Sequence, residues 1–206
     1  MKVILSLIVF ILAGTVQANQ NHLLPVPAYD SYGYTQAVFE SLIGDTQAEF
    51  WMVVRPSFSL EYAVILHQYE DVWRLEKVTA KDKIWAWKDI GEGRSVLDIK
   101  STKDVTREYI AVNKHDLGKI ILAWKSVLKT TRYSESELSG RDGTTYQFYS
   151  HHQLFGQTWS PSEGLPLMLV NLGNALKELV TLNESERQVA WVNANDIASE
   201  IISEQP

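Results

Sequence analysis

Alternating apolar and polar residues predict most of the strands in this chain. The clearest case is residues 144–150, where Tyr146 and Phe148 fall on one face and Thr145, Gln147 and Tyr149 on the other. Turn residues precede this segment at 140–143, and residues 155–159 form a second apolar run, so the pattern predicts a hairpin. Similar patterns predict strands over 49–54, 61–67, 71–80, 95–99 and 108–112.

Apolar residues three and four positions apart predict four helices. They are expected over 36–43, after a capping Asn113, along the leucines between 165 and 179, and from a break at 183–185 to about residue 202. Residues 160–163, Ser-Pro-Ser-Glu, resemble a capped helix start. Pro166 would clash in a second turn, so we expect the main helix to begin near Leu165 or Pro166.

The order of these elements indicates the fold class. The predicted strands all lie before residue 160, helices cluster late, and no β-α-β alternation supports a parallel sheet. We therefore predict a single α+β domain, with an antiparallel sheet of about six or seven strands and helices mainly on one side. The expected boundaries are a signal peptide at 1–18, an extended lead-in at 19–34 and the domain at 35–206.

The first residues are typical of an export signal. Lys2 is followed by eleven mostly apolar residues, too few to span a bilayer, and then by a small-x-small site that ends at Ala18. Cleavage at about Ala18 predicts a soluble periplasmic or secreted protein, without a transmembrane segment in the mature chain. An uncleaved membrane anchor is the alternative.

Charge and cysteine content narrow the classes of partner. The chain has 19 basic and 25 acidic residues, a net charge of −6, and such a surface repels the phosphates of nucleic acids. No cysteine is present, which excludes disulfides, thiolate metal sites and a cysteine nucleophile. We expect no nucleic acid partner and no cofactor.

The candidates for chemistry are scattered acids and histidines. Asp142 and Glu61, with Glu163, could supply paired carboxylates for sugar hydrolysis if the fold brings them together. His151 and His152 would point to opposite faces of a strand, so we expect no metal site unless a turn makes them converge. Asp142 precedes a glycine, and this context favours a turn residue.

The candidates for binding are cationic and aromatic residues near predicted loops. Arg55, Arg132, Tyr146 and Trp159 form this set, because amphipathic rings and guanidinium groups are common in recognition surfaces. Arg132 could pair with Asp142 across a loop. Trp159 ends a strand just before a helix, so we also expect its indole to anchor the core.

Four short motifs carry a resemblance to a known group of proteins. They are RPSF at 55–58 with a glutamate soon after it, TRY at 131–133, DGTTYQF at 142–148 and GQTWSP at 156–161. In these the chain resembles small exported bacterial proteins of unassigned function. The resemblance implies a shared fold and transfers no catalytic residue.

Three functions remain open from the sequence. The first is a non-catalytic periplasmic protein that binds another protein or an envelope component, for which an inhibitor or immunity-like role is one form. The alternative is a small periplasmic hydrolase with carboxylate or histidine catalysis. A third hypothesis is an assembly factor that uses the C-terminal helix.

Overall fold

The computed structural model describes residues 22–26, 33–99, 104–133, 142–151 and 153–205. The predicted signal peptide, residues 134–141 and His152 lie outside these ranges, and of the predicted turn at 140–143 Asp142 and Gly143 are described. Of the lead-in, residues 22–26 and 33–34 are described. The elements within the described ranges are α1 (Tyr34–Leu42), β1 (Ala48–Pro56), β2 (Tyr62–Tyr69), β3 (Val72–Ala80), β4 (Trp85–Asp89), β5 (Ser95–Ile99), β6 (Val105–Val112), α2 (Lys114–Leu128), β7 (Thr144–Ser150), β8 (Leu154–Trp159), α3 (Gly164–Thr181) and α4 (Glu184–Ser203).

The predicted fold class is confirmed. Six strands form one antiparallel sheet in the order β6-β3-β2-β1-β7-β8, and β4 pairs with β5 as a separate two-stranded ribbon. The hairpin β7–β8 pairs Thr145 with Trp159 and Ser150 with Leu154, as its sequence pattern indicates. The domain is therefore α+β, with the long β1 near the centre of the sheet.

Helices cover both faces of the sheet unequally. The larger core lies under α2, α3 and α4, where alternate strand residues such as Phe50, Met52 and Phe148 meet the helical leucines. The smaller core lies on the opposite face, where α1 covers Trp51, Val53 and their neighbours. Three helices on one face and one on the other agree with the expectation of helices mainly on one side.

Trp124, not Trp159, is a buried anchor of the larger core. Trp124 is 0% exposed, stacks on Phe50 at 4.4 Å between ring centroids, and donates its indole N–H to the Tyr149 carbonyl at 2.9 Å. Trp159 is only half-buried at the end of β8, so the expectation that it anchors the core is wrong. An indole that ends a strand lies at the margin of the sheet, whereas α2 places Trp124 over its middle.

The sequence predicted the N-terminal cap of α2 correctly but not that of α3. Asn113 caps α2 as predicted, because its side chain accepts from the His115 N–H at 3.0 Å. Ser160 does not cap α3. Its φ is +39° and its hydroxyl accepts from the Thr144 N–H at 2.9 Å, so it closes the β7–β8 ladder instead. The helix α3 begins at Gly164, which places Pro166 in its first turn, where no carbonyl is displaced.

Candidate binding surface

Four of the predicted site residues lie at one end of the main sheet. Arg55 is near the end of β1, Glu61 directly precedes β2 and Asp142 precedes β7 by two residues. Because β1 runs antiparallel to both β2 and β7, these strand ends are neighbours. Trp159 ends β8 at the same end, opposite Thr145.

The Glu61 carboxylate forms a buried bridge between three elements. Glu61 is 0% exposed; its Oε1 accepts from the Tyr34 hydroxyl at 2.8 Å and its Oε2 from the Ile84 N–H at 3.2 Å. Burial raises the pKa of the Tyr34 hydroxyl above its ordinary 10.0, and the Glu61 carboxylate raises it further. Both carboxylate oxygens are engaged, so Glu61 joins α1 and the start of β4 to the sheet and presents no oxygen to a substrate.

Arg55 and Lys83 supply positive charge beside this bridge. The Arg55 side chain donates to the Thr35 hydroxyl at 2.8 Å and lies 5.4 Å from the centroid of the Tyr34 ring. The Lys83 ammonium lies 4.9 Å from the centroid of the Trp85 ring. Tyr34 and Trp85 meet edge to face at 6.2 Å, so the cations and rings form one continuous cluster.

The loop between β1 and β2 is pinned at Ser57. The Ser57 N–H and hydroxyl both donate to the Gly143 carbonyl, at 2.9 and 2.8 Å, and the Gly143 N–H donates back to the hydroxyl at 3.1 Å. The Lys83 ammonium donates to the Ser57 carbonyl. Gly143 in turn lies against the Trp159 indole, where an added Cβ would come within 2.6 Å of the ring. Gly143 therefore permits a close approach to the Trp159 indole that any larger residue at position 143 would prevent.

Phe58 projects into solvent directly after this pinned position. Its side chain is 80% exposed, and Leu60 in the same loop is 37% exposed. A large apolar side chain in solvent is unfavourable, by roughly 1.5–3 kcal/mol relative to its burial. In the sequence RPSF served only as a resemblance motif, and Phe58 was not predicted as a binding residue, although a phenylalanine next to proline and serine in a loop is the signal that could have found it.

Tyr146 packs into the larger core rather than joining this surface. It lies on the helix-covered face of β7, and burial raises its pKa. The neighbouring Tyr62 donates its hydroxyl to Asn174 Oδ1 of α3 at 3.2 Å, and burial raises the pKa of Tyr62 as well. Tyr62 thus links the sheet to α3, and Tyr146 packs against the larger core.

The other predicted residues are placed elsewhere. His151 follows β7 at the opposite end of the sheet from Asp142, about 20 Å of strand away at ~3.3 Å per residue. The Arg132 N–H donates to the Leu23 carbonyl at 3.0 Å, beside the edge of β8. Within the described ranges Arg132 and Asp142 form no ion pair with each other, so the predicted cross-loop pair is not present.

Two further features bear on chemistry. Within the ranges that the structure covers, no three His, Cys, Asp or Glu side chains converge as a metal would require. A cleft of about 460 Å³ lies between α2 and α4, and its lining residues are His115, Asp116, Lys119, Trp191 and Asn195. It is open and polar and lies among the helices.

Comparison with known proteins assigns no relationship. No family model, no curated protein and no solved structure matches the chain. None of the described helices is both long enough and apolar enough to cross a membrane. We define the candidate binding surface as Phe58 and Leu60, together with the Ser57, Lys83 and Gly143 contacts that hold their loop.

Proposed function

We propose that this chain is an exported, non-catalytic binding protein that acts in the periplasm and recognises another protein through Phe58. The observation that carries the proposal is an 80% exposed phenylalanine on a loop pinned by hydrogen bonds on both sides of the Ser57 peptide. A loop already held in place loses little conformational entropy on binding, so most of the gain from burying the ring remains as affinity.

The chemistry of the surface supports a protein partner. Aromatic side chains that enter a pocket at the centre of an interface are frequent hot spots, worth about 2 kcal/mol or more when truncated. Lys83, which contacts the Ser57 carbonyl, and Arg55, three residues before Phe58, provide cations at the same end of the sheet, in a chain whose net charge is −6. A partner with an apolar pocket rimmed by acidic groups fits this pattern, as does an inhibitor or immunity-like role.

The hydrolase alternative has less support. Glu61 is fully buried, with both carboxylate oxygens accepting hydrogen bonds from protein groups. Asp142 and His151 lie at opposite ends of β7. A general acid and base must both reach the same bond, so Asp142 and His151 cannot act as a catalytic pair.

Site-specific crosslinking tests the proposal in the compartment where the protein is expected. A photoreactive phenylalanine analogue at position 58 should give one dominant protein adduct after export, and the same analogue at Tyr133, which is 88% exposed, should not. With the captured protein purified, Phe58→Ala should weaken binding by at least about 30-fold, the equivalent of ~2 kcal/mol.

Three outcomes would count against the proposal. Identical adducts at positions 58 and 133 would indicate random collisions. Equal affinity of the wild type and Phe58→Ala for the captured protein would remove Phe58 from the interface. Sedimentation with peptidoglycan or lipid vesicles, lost in Phe58→Ala, would instead assign an envelope component.

Intact mass should show a mature chain that begins at Asn19, and retention of Lys2 would contradict export with cleavage.

A further inference from the structure

The two edge strands of the main sheet, β8 and β6, differ in whether another described segment of the chain pairs with them. At β8 the lead-in closes the edge, because Leu24 and Gln157 exchange backbone hydrogen bonds at 2.8 and 2.7 Å. At β6 the strand has a described neighbour on one side only, β3. Five of its eight residues are exposed, including Tyr109 at 57%. An open edge of this length is a template for pairing with another strand.

The usual protections of an edge strand are weak in β6. It contains no proline, and its register with β3 runs without a bulge from Val112 to Val105. Its two charged residues are already paired to β3: Arg107 lies 3.2 Å from Glu76 and Glu108 lies 3.0 Å from Lys77. Charges guard an edge by remaining solvated when another strand approaches, and these two are largely neutralised by their own sheet.

The hydrogen-bond pattern determines which β6 groups face outward. Lys81 donates its N–H to the Asp104 carbonyl at 3.1 Å, so residue 104 and every second residue after it face β3. The backbone groups of Arg107, Tyr109 and Ala111 therefore point away from the sheet.

We propose that β6 pairs antiparallel with β6 of a second copy of this chain, which joins the two sheets into one around a two-fold axis. Opposite residues in an antiparallel pair have their side chains on the same face of the sheet. The two-fold axis must therefore pass between the two copies of one residue, and an axis at Glu108 makes the two strands overlap almost completely. This register makes Arg107 and Tyr109 an outward-facing hydrogen-bonded pair, formed twice.

Complementary side chains favour a second copy as the occupant. Each Arg107 guanidinium would lie beside the exposed Tyr109 ring of the other copy, a cation–π arrangement. Tyr109 already accepts such a contact within its own chain, where the Arg74 guanidinium lies 4.6 Å from its centroid. The two Glu108 side chains would face each other at the axis, each with its own Lys77 at 3.0 Å to offset the repulsion.

Light scattering and amide exchange on the full mature chain test this pairing directly. We expect a concentration-dependent dimer. In it the amide protons of Arg107, Tyr109 and Ala111 exchange more slowly than in the dilute monomer, while those of Thr106, Glu108 and Ile110, which face β3, do not change. Ala111→Pro should abolish the dimer, because it removes one outward N–H that would bond to the other copy. The fold itself should survive, because proline is tolerated at an outward edge position.

Two variants of opposite charge at position 109 distinguish self-association from other modes of binding. Tyr109→Lys places a cation opposite Arg107 of the other copy, and Tyr109→Glu places an anion there, while both remove the same ring. The dimer dissociation constant of Tyr109→Lys should exceed that of Tyr109→Glu by at least about tenfold. Circular dichroism verifies that each variant is folded, and if Ala111→Pro unfolds, the Lys and Glu variants decide the question.

Three results would overturn the inference. The first is a monomer at every concentration up to about 1 mM, the upper range of weak specific association. The second is a dimer with unprotected outward amides on β6. The third is equal dimer affinity for the two Tyr109 variants. A foreign strand at the same edge would protect the outward amides only when that protein is added, and would also exclude the second copy.

Discussion

The buried Glu61 bridge gives the sharpest test of how this fold is held together. Tyr34→Phe removes the hydroxyl that donates to Glu61 Oε1 at 2.8 Å and that also hydrogen-bonds to the Trp85 side chain, and leaves the ring in contact with Trp85. The carboxylate is 0% exposed, so water cannot replace the lost donor without a rearrangement. A hydrogen bond to a charged group is worth about 1.5–3 kcal/mol, and we expect the free energy of unfolding to fall by that amount.

Glu61→Gln should destabilise the protein by a similar amount for a different reason. An amide has an oxygen at only one of the two positions, so either the Tyr34 hydroxyl or the Ile84 N–H, which now donate to Oε1 and Oε2, meets an NH2 group in place of its acceptor. Because both changes break the same contact, the double variant should be less destabilised than the sum of the two. We expect a coupling energy of at least about 1 kcal/mol.

The assay is urea unfolding at neutral pH, with Tyr133→Phe as the matched control. Tyr133 is 88% exposed, so loss of its hydroxyl should change the free energy of unfolding by less than about 0.5 kcal/mol. Unchanged m-values would show that the midpoint shifts report stability rather than a change in the denatured state. A Tyr34→Phe loss no larger than that of the control, with no coupling to Glu61→Gln, would refute the reasoning.

Alkaline pH provides a second readout of the same contact. The pKa of Tyr34 is raised in the folded state, so its neutral hydroxyl contributes stability that is fully present below the unfolded value of about 10 and is lost as pH rises toward the folded pKa. Tyr62 and Tyr146 have raised pKa values too and contribute the same sign of slope. The difference between wild type and Tyr34→Phe isolates the Tyr34 contribution, and it should shrink above pH 10.

Two further predictions concern residues that the sequence singled out or overlooked. Trp124→Ala should cost about 3–5 kcal/mol in urea unfolding, and Trp159→Ala clearly less, because Trp124 is 0% exposed and Trp159 half-buried; a larger loss at Trp159 would contradict this placement of the core. Asp142→Asn should change stability by less than about 0.5 kcal/mol and be additive with Arg132→Ala, and coupling above about 1 kcal/mol would restore the cross-loop ion pair.

Local patterns in the sequence predicted the four helices, every described strand except β4, and the β7–β8 hairpin. Alternation over 144–150 predicted both β7 and the residues on each of its faces, since a period of two leaves no choice about side. The cap at Asn113 was equally readable, because an N-cap depends only on residues within one turn. The strand pattern and the helix cap depend on residues that are close in sequence, so they can be predicted from the sequence alone.

The tertiary structure alone decided what the candidate residues do. Glu61, Tyr34 and Ile84 are far apart in sequence, and only antiparallel packing brings them into one buried bridge. The same holds for Ser57 and Gly143, whose hydrogen bonds expose Phe58 at the end of the sheet. Burial and partner identity depend on contacts across long loops, so an acid that pattern reasoning offers as catalytic becomes a structural bridge once those contacts are known.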